Sequence, residues 1–123
     1  MKTLKDIAVE FLQRIIAGDI RGAYQDHTAA SFRHHNAYFP GDMESLIRGM
    51  EDNHENFPDK ILTIRQVISD GPTVAVHSLL KFNRHHTGIV VVHLFRFEGE
   101  KIAEFWDVAH ILPDKSPNQN GPV

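Results

Sequence analysis

The sequence contains no cysteine, and this absence removes several kinds of chemistry at once. Without a thiol, the chain has no disulfide framework, no thiolate nucleophile and no cysteine-ligated zinc or iron–sulfur site. It also lacks an excess of positive charge, because 13 Lys and Arg residues stand against 16 Asp and Glu, for a net charge of −3. Nucleic-acid-binding proteins present a basic face to phosphates, so we expect no nucleic-acid partner.

Long apolar runs are missing as well. The longest, residues 89–92, is far shorter than the roughly 20 residues that a helix needs to cross a membrane. Residues 1–10 mix charged with apolar side chains, so they do not form the apolar core of a signal peptide. We therefore expect a soluble cytoplasmic protein with no membrane partner.

The motifs of familiar cofactor and nucleophile sites are also absent, among them GxGxxG, the Walker loop, HExxH and GxSxG. What the chain has in excess is histidine, with nine residues. Imidazole titrates near neutral pH, so histidine suits acid–base catalysis and metal binding but is also common on plain surfaces. Three possibilities remain: acid–base chemistry by side chains, a metal site assembled from distant strands, or ligand binding alone.

The first half of the chain has helical periodicity. Apolar residues recur at the i, i+3, i+4, i+7 spacing over residues 4–16, and a shorter stripe follows over residues 20–27. The pattern then breaks, and residues 32–36 are predicted to form a short extended segment. Asp42 is expected to cap a third helix, which Pro58 ends.

The second half has the alternation of strands, over residues 60–69, 73–82, 89–97 and 101–112. Short turns join these strands, which predicts an antiparallel meander covered on one face by the helices. The expected fold is α+β: a cone-shaped barrel in which a curved antiparallel sheet of four long strands wraps around three N-terminal helices. A single domain spans residues 1–123, with an irregular tail at 113–123. Such a cone encloses a cavity suited to a small apolar ligand.

Three of the polar residues within predicted strands are candidates for a functional site, because burial of charge there is costly. His93 shares its face with apolar side chains, so desolvation favours its neutral form. Asp107 is the only acid in the second half of the last strand, and it must be paired or must serve a cavity. His77 is either a structural residue with its hydrogen bonds satisfied or a cavity-lining one. Groups of this kind cluster at functional sites, although structural pairs also produce them.

The sequence leaves open which face of the last strand lines the cavity. In a regular strand Asp107 and Trp106 point to opposite faces, unless a bulge intervenes. The Asp107 set contains Ala103, Phe105 and Ala109, and the Trp106 set contains Ile102, Glu104, Val108 and His110. The same alternation allows at most one of His34 and His35 to face the cavity.

Several segments, taken in order, resemble the SnoaL-like polyketide cyclase family. These are FRHHNAY at 32–38, VH at 76–77, FRFEGEKI at 95–102 and EFWDV at 104–108. The tail PDKSPNQNG at 113–121 is similar to the end of a bacterial branch described as catalysing aldol condensation. The resemblance implies the cone-shaped fold of the nuclear transport factor 2-like superfamily, and a homodimer formed through the outer sheet face.

The resemblance also implies an activity, ring closure by intramolecular aldol condensation without a cofactor. The family pattern places an acid–base residue at Asp107, with His35 and His77 nearby. This sequence departs from the branch at three positions, where His93 replaces Asp, Phe105 replaces His and His110 replaces Gln. The predicted cavity is therefore richer in imidazole than the family pattern.

The leading hypothesis is acid–base catalysis on a small, apolar, carbonyl-containing ligand. Asp107, or a histidine paired with it, removes a proton α to the carbonyl, and His35 with Asn36, or His77, donates hydrogen bonds to the enolate oxygen. No metal or organic cofactor is needed. The expected catalytic residues are Asp107, His35 and His77, and the expected substrate-binding residues are Asn36, Tyr38, His93, Trp106 and His110.

Two alternatives stay open. Imidazole suits zinc, copper and iron, so a metal site could form if four histidines converged, namely His35, His77, His93 and His110. The chain could instead be a non-catalytic, dimeric domain that binds a small ligand in the same cavity. A structure that separates His35 and His77 from Asp107 would favour this last interpretation.

Overall fold

The computed structural model describes residues 2–123, which form three helices and five strands. The helices are α1 (Leu4–Ile16), α2 (Ile20–His27) and α3 (Met43–Asn56). The strands are β1 (Thr28–His34), β2 (Ile61–Asp70), β3 (Thr73–Lys81), β4 (Ile89–Glu98) and β5 (Lys101–Ile111). Within this part of the chain, no helix combines the length and the apolar character needed to cross a bilayer.

Helix α1 begins and packs as its sequence pattern predicts. The Thr3 side chain accepts a hydrogen bond from the Asp6 backbone N–H, and the Asp6 carboxylate accepts one from the Thr3 backbone N–H. This reciprocal capping satisfies two backbone donors that the first helical turn leaves unpaired. The apolar stripe is buried against the sheet, with Phe11 completely inaccessible to solvent.

The five strands form one sheet in the order β1-β5-β4-β3-β2. Strands β2 to β5 are antiparallel neighbours in chain order, which confirms the predicted meander. The predicted count of four strands is one short, because the extended segment expected at residues 32–36 overlaps the end of a fifth strand, β1, which pairs parallel to β5 and makes the sheet mixed. Residues 28–31 (Thr-Ala-Ala-Ser) lack the apolar alternation of a half-buried strand, so β1 depends on the edge that β5 offers rather than on its own pattern.

A β-bulge decides which residues of β5 face the helices. Phe97 pairs with Ile102 and Arg96 with Glu104, so Ala103 is an extra residue in β5. Ile102 and Phe105 consequently both face the core, although they are three residues apart. Beyond the bulge the alternation is regular, and Asp107 shares the helix-facing side with Phe105.

The core lies between the helices and the inner face of the sheet. The Phe11 ring packs edge to face against three aromatic rings. Its centroid lies 5.0 Å from that of Tyr24, 5.9 Å from that of Phe95 and 6.3 Å from that of Phe105. The rings of this aromatic cluster are almost completely inaccessible to solvent. Phe105 also lines the cavity described next.

Candidate functional site

A cavity of about 590 Å³ lies between the helices and the inner sheet face. Most of its wall is apolar, formed by side chains of all three helices and of β2 to β5. The polar residues that line it are Tyr24, His35, Asn36, Tyr38, Asn53, Lys60, His93 and Asp107. A largely apolar chamber with a few polar groups is typical of small-molecule sites.

Asp107 is held in place by Asn36, which lies in the loop after β1. The Asn36 Nδ2 atom donates a hydrogen bond of 2.8 Å to Asp107 Oδ2. The Asn36 Oδ1 atom accepts one of 2.9 Å from the Tyr38 backbone N–H, and this contact fixes which end of the amide points at the carboxylate. Within residues 2–123, no side chain donates a hydrogen bond to Asp107 Oδ1. Tyr38 itself is 91% exposed and lies at the cavity mouth.

His34 organises the loop that carries Asn36. One ring nitrogen, Nε2, lies 2.8 Å from the Pro40 carbonyl oxygen, and the other, Nδ1, accepts a hydrogen bond from the Asn36 backbone N–H. These two contacts require the neutral tautomer with its proton on Nε2, which donates to Pro40. The buried His34 ring therefore positions Asn36, and through it the carboxylate of Asp107.

His93 lies directly across from Asp107 on the neighbouring strand. Side chains at such paired positions project side by side, with Cβ atoms roughly 5 Å apart. Burial lowers the pKa of His93 from 6.5 to about 4, so the ring is neutral near pH 7. Its Nδ1 atom is inaccessible to solvent and has no hydrogen-bond partner among residues 2–123.

Tyr24 lines the cavity from the helical side. Its side chain is almost fully buried, and its ring packs against Phe11 and Phe32. Burial and, to a smaller extent, the negative charge of Asp107 raise the pKa of Tyr24, so the hydroxyl keeps its proton. The cavity therefore holds a carboxylate, a neutral imidazole and a protonated phenol close to one another.

The outer face of the sheet carries a second polar cluster, centred on Glu104. This carboxylate accepts from Arg33 at 2.9 Å, from His35 Nε2 at 2.6 Å and from Arg96 at 3.2 Å. Arg33, then His35 and Arg96, lower the pKa of Glu104 from 4.5 to about 2. The His35 ring also stacks on Trp106, with centroids 5.1 Å apart and planes at 6°.

The family to which the chain belongs can now be stated. Residues 8–105 match the model of the SnoaL-like domain. The chain is a member of the SnoaL-like domain family. Comparison with curated proteins gives no match.

Solved structures share the fold at low sequence identity. A SnoaL-like polyketide cyclase from Agrobacterium tumefaciens is 16% identical, with a TM-score of 0.72 over 89% of this chain and 93% of that one. A cystatin fold protein from Novosphingobium aromaticivorans is 15% identical, with a TM-score of 0.73 over 88% and 99%. An NTF2-like protein from Cytophaga hutchinsonii is 14% identical, with a TM-score of 0.71 over 89% and 92%. These similarities establish the cone-shaped SnoaL-like fold.

Within this SnoaL-like fold, the structure separates the residues that the sequence groups together. Asp107, Asn36 and His93 line the cavity, with Tyr38 at its mouth. His77, Trp106 and His110 lie on the outer face, as strand alternation and register require, and His77 contacts Gln66 there at 3.2 Å. The expectation that these three line the cavity is therefore wrong.

His35 is placed between the two faces. His35 is one of the residues that line the cavity, but contacts with Glu104 and Trp106 hold its ring toward the outer face. The expected grouping of His35 and His77 with Asp107 is therefore not observed. Nor do His35, His77, His93 and His110 converge, because only His93 projects inward. Among residues 2–123, no group of three or more His, Cys, Asp or Glu side chains is arranged to hold a metal ion.

The sequence interpretation missed four residues that shape the site. The sequence pattern assigns Tyr24 only to the apolar face of α2, and it does not decide whether His34 faces the cavity. Glu104 is assigned to a strand face without partners, and Lys60 is only the first residue of a predicted strand. A signal exists for Tyr24, because a tyrosine on a buried helical stripe needs a destination for its hydroxyl.

Proposed function

We propose that this SnoaL-like protein binds a small, mostly apolar carbonyl compound in its cavity and removes a proton α to the carbonyl with Asp107. One observation carries the proposal: the Asp107 carboxylate faces an apolar cavity and is held by a neutral amide. No Lys, Arg or His nitrogen of residues 2–123 forms an ion pair with it. A carboxylate that faces an apolar cavity, with no cation bound to it, is placed to accept a proton from a bound ligand.

Tyr24 and His93 are the candidates for stabilising the enolate oxygen. Both line the same cavity as Asp107, and both carry an N–H or O–H donor when neutral. Hydrogen-bond donors that are fixed in an apolar site stabilise developing negative charge more strongly than water does. They replace His35 and His77, which the sequence suggested for this role and which point away from the cavity.

The proposed reaction needs no external oxidant or reductant. Asp107 takes the α-proton, and the electron pair of the C–H bond moves into the enolate. The enolate carbon then attacks a second carbonyl of the same molecule, which forms a C–C bond and closes a ring. The resulting alkoxide takes up the proton that Asp107 removed. Return of the proton to another carbon would instead give an isomerisation. The polyketide cyclase from Agrobacterium tumefaciens supports ring closure by its name and fold.

The test is the exchange of α-protons for solvent deuterium in a simple aromatic ketone, 1-tetralone, followed by NMR. We expect the wild-type protein to accelerate exchange over buffer, and Asp107→Asn to lower the acceleration at least about 100-fold. His77→Asn changes a polar residue on the outer face and is the matched control, with exchange expected at the wild-type rate. Equal exchange by Asp107→Asn and wild type would refute the assignment of the base.

A second candidate function is ligand binding without turnover. It is favoured by the separation of His35 and His77 from Asp107, which leaves the cavity with fewer catalytic groups than the sequence suggested. The same experiment distinguishes the two. Chemical-shift changes on addition of 1-tetralone, with exchange no faster than in buffer, would favour the binding function.

We also propose that two copies associate through the outer sheet face. This face carries exposed apolar side chains, among them Ile68 on β2, 59% exposed, and Val108 on β5, which is 62% exposed and two residues from Trp106. Exposed apolar residues that cluster on one face are typical of interaction sites. Sedimentation equilibrium of the wild type and of Val108→Glu tests this, and an equally dimeric variant or a monomeric wild type would contradict it.

A further inference from the structure

Lys60 is a buried amine with no acidic partner. Its side chain lines the cavity and the residue is only 9% exposed. Its Nζ atom donates a hydrogen bond to Asn53 Oδ1 on α3, and no ion pair is formed with any carboxylate of residues 2–123. Lysine is almost never fully buried unless it is paired, because desolvating an ammonium group is costly.

Other lysines of the chain behave differently. Lys2 forms an exposed ion pair with Glu10, and Lys101 bonds the Asp26 carbonyl oxygen at the surface. Burial lowers the pKa of Lys60, because the apolar surroundings disfavour its charged form. A methionine or leucine would fill the same space without the desolvation cost of the amine. The position of Lys60 is therefore better explained by a negatively charged ligand, since residues 2–123 supply no carboxylate there.

Lys60 and Asp107 lie far apart along the cavity wall. Lys60 immediately precedes β2, at the opposite edge of the sheet from β1, whereas Asp107 is on β5. Strands β4 and β3 lie between them, so three strand spacings, or roughly 14 Å, separate β5 from β2. A ligand that contacts both residues must be elongated, and both residues line the same cavity of about 590 Å³.

We propose that Lys60 and Asn53 bind a carboxylate group of the ligand, at the end of the cavity opposite Asp107. The ammonium group has three donors, of which Asn53 takes one, and the Asn53 amide adds an N–H donor of its own. A ligand carboxylate would neutralise the buried charge. The inference rests on the proposed function, and it specifies the substrate class as a carbonyl compound with an acidic group at its far end.

The experiment compares two probes of the same shape, 2-naphthoate and 2-naphthamide, by titration calorimetry at pH 7. We expect the wild type to bind the carboxylate about tenfold more tightly than the amide, as for one charge-assisted hydrogen bond in an apolar site. Lys60→Met should abolish this preference. Lys115→Met removes the same charge from an exposed tail residue and should retain it.

Folding of the Lys60→Met variant is checked by its thermal unfolding, and a midpoint no lower than that of the wild type is expected. Equal binding of the two probes by the wild type would overturn the proposal without need of any variant. An unchanged preference in Lys60→Met would also overturn it. Asp107→Asn separates the two claims, because it should lose α-proton exchange and keep the preference for the carboxylate.

Discussion

The two faces of the sheet treat their polar residues in opposite ways. On the outer face Glu104 accepts hydrogen bonds from two arginines and a histidine, so its charge is fully compensated. On the inner face Asp107 has a single neutral partner, Asn36, and the neighbouring His93 Nδ1 has none among residues 2–123. The two carboxylates are three residues apart on the same strand.

This contrast shows how one strand supports both structure and chemistry. Glu104 is compensated by cations and is therefore a weak base, which suits a structural anchor for the loop after β1. Asp107 lies in an apolar chamber with unused hydrogen-bonding capacity, which suits a reactive group. The number of histidines is a poor guide to function here, because most of them lie outside the chamber.

The largest effect is expected on the free energy of unfolding when an inner-face residue is truncated, because the hydrophobic core lies on that face. Phe95→Ala removes a fully buried ring and should lower the free energy of unfolding by about 3–5 kcal/mol. The adjacent Leu94→Ala lies on the outer face, is half-buried, and should cost about 1 kcal/mol. Urea denaturation measures both, and equal losses would contradict the assignment of the faces.

The inner face should also make stability depend on pH through His93. The folded-state pKa of about 4 lies below the ordinary histidine pKa of 6.5, so the unfolded chain takes up this proton first as the pH falls. The contribution is therefore present above pH 6.5 and lost as the pH falls toward 4. It amounts to at most about 3 kcal/mol. Urea titrations of the wild type and of His93→Phe measure it, and the same pH slope in both would contradict it.

Catalysis should depend on the inner-face phenol. Tyr24→Phe removes one donor to the enolate oxygen while keeping the ring that packs on Phe11, so α-proton exchange in 1-tetralone should slow about 100-fold. Thermal unfolding should change little, which distinguishes a lost donor from a damaged core. An exchange rate equal to that of the wild type would refute the role of Tyr24 as a hydrogen-bond donor to the enolate oxygen.

The smallest effect is expected from substitution of Glu104, which should change the free energy of unfolding in a lower pH range than His93 does. The pKa of Glu104 is about 2 in the folded protein, against an ordinary glutamate pKa of 4.5, so its contribution to stability is present above pH 4.5 and lost as the pH falls toward 2. Glu104→Gln should remove this dependence and leave the slope between pH 6.5 and 4 that belongs to His93. Loss of both slopes in this variant would show that the two faces are coupled.

Periodicity and turn residues were enough to predict the three helices and the meander. Only the end of strand β1 falls in the predicted extended segment, because residues 28–31 are small and polar and their pairing with β5 is a tertiary contact. The sequence allows a bulge in the last strand but does not place it at Ala103, since one extra residue leaves no local signal.

The site was predicted only in part. Asp107, Asn36 and His93 stood out as polar residues within apolar patterns, and the structure brings them together at one cavity. The grouping of His35 and His77 with them rests on the family resemblance, and strand alternation alone does not say which face of a strand is the inner one. Tyr24 and Lys60 were missed because their role depends on the cavity, which only the packing of helices against the sheet creates.

The most direct test of the account is an NMR titration of the isotope-labelled protein with 1-tetralone. One NMR signal reports on each side of the sheet. The side-chain amide of Asn36 reports on the cavity, and the indole N–H of the single tryptophan, Trp106, reports on the outer face. We predict that the Asn36 signals shift to saturation while the Trp106 signal stays in place. A saturating shift of Trp106 with unchanged Asn36 signals would contradict the claim that the inner face carries the function.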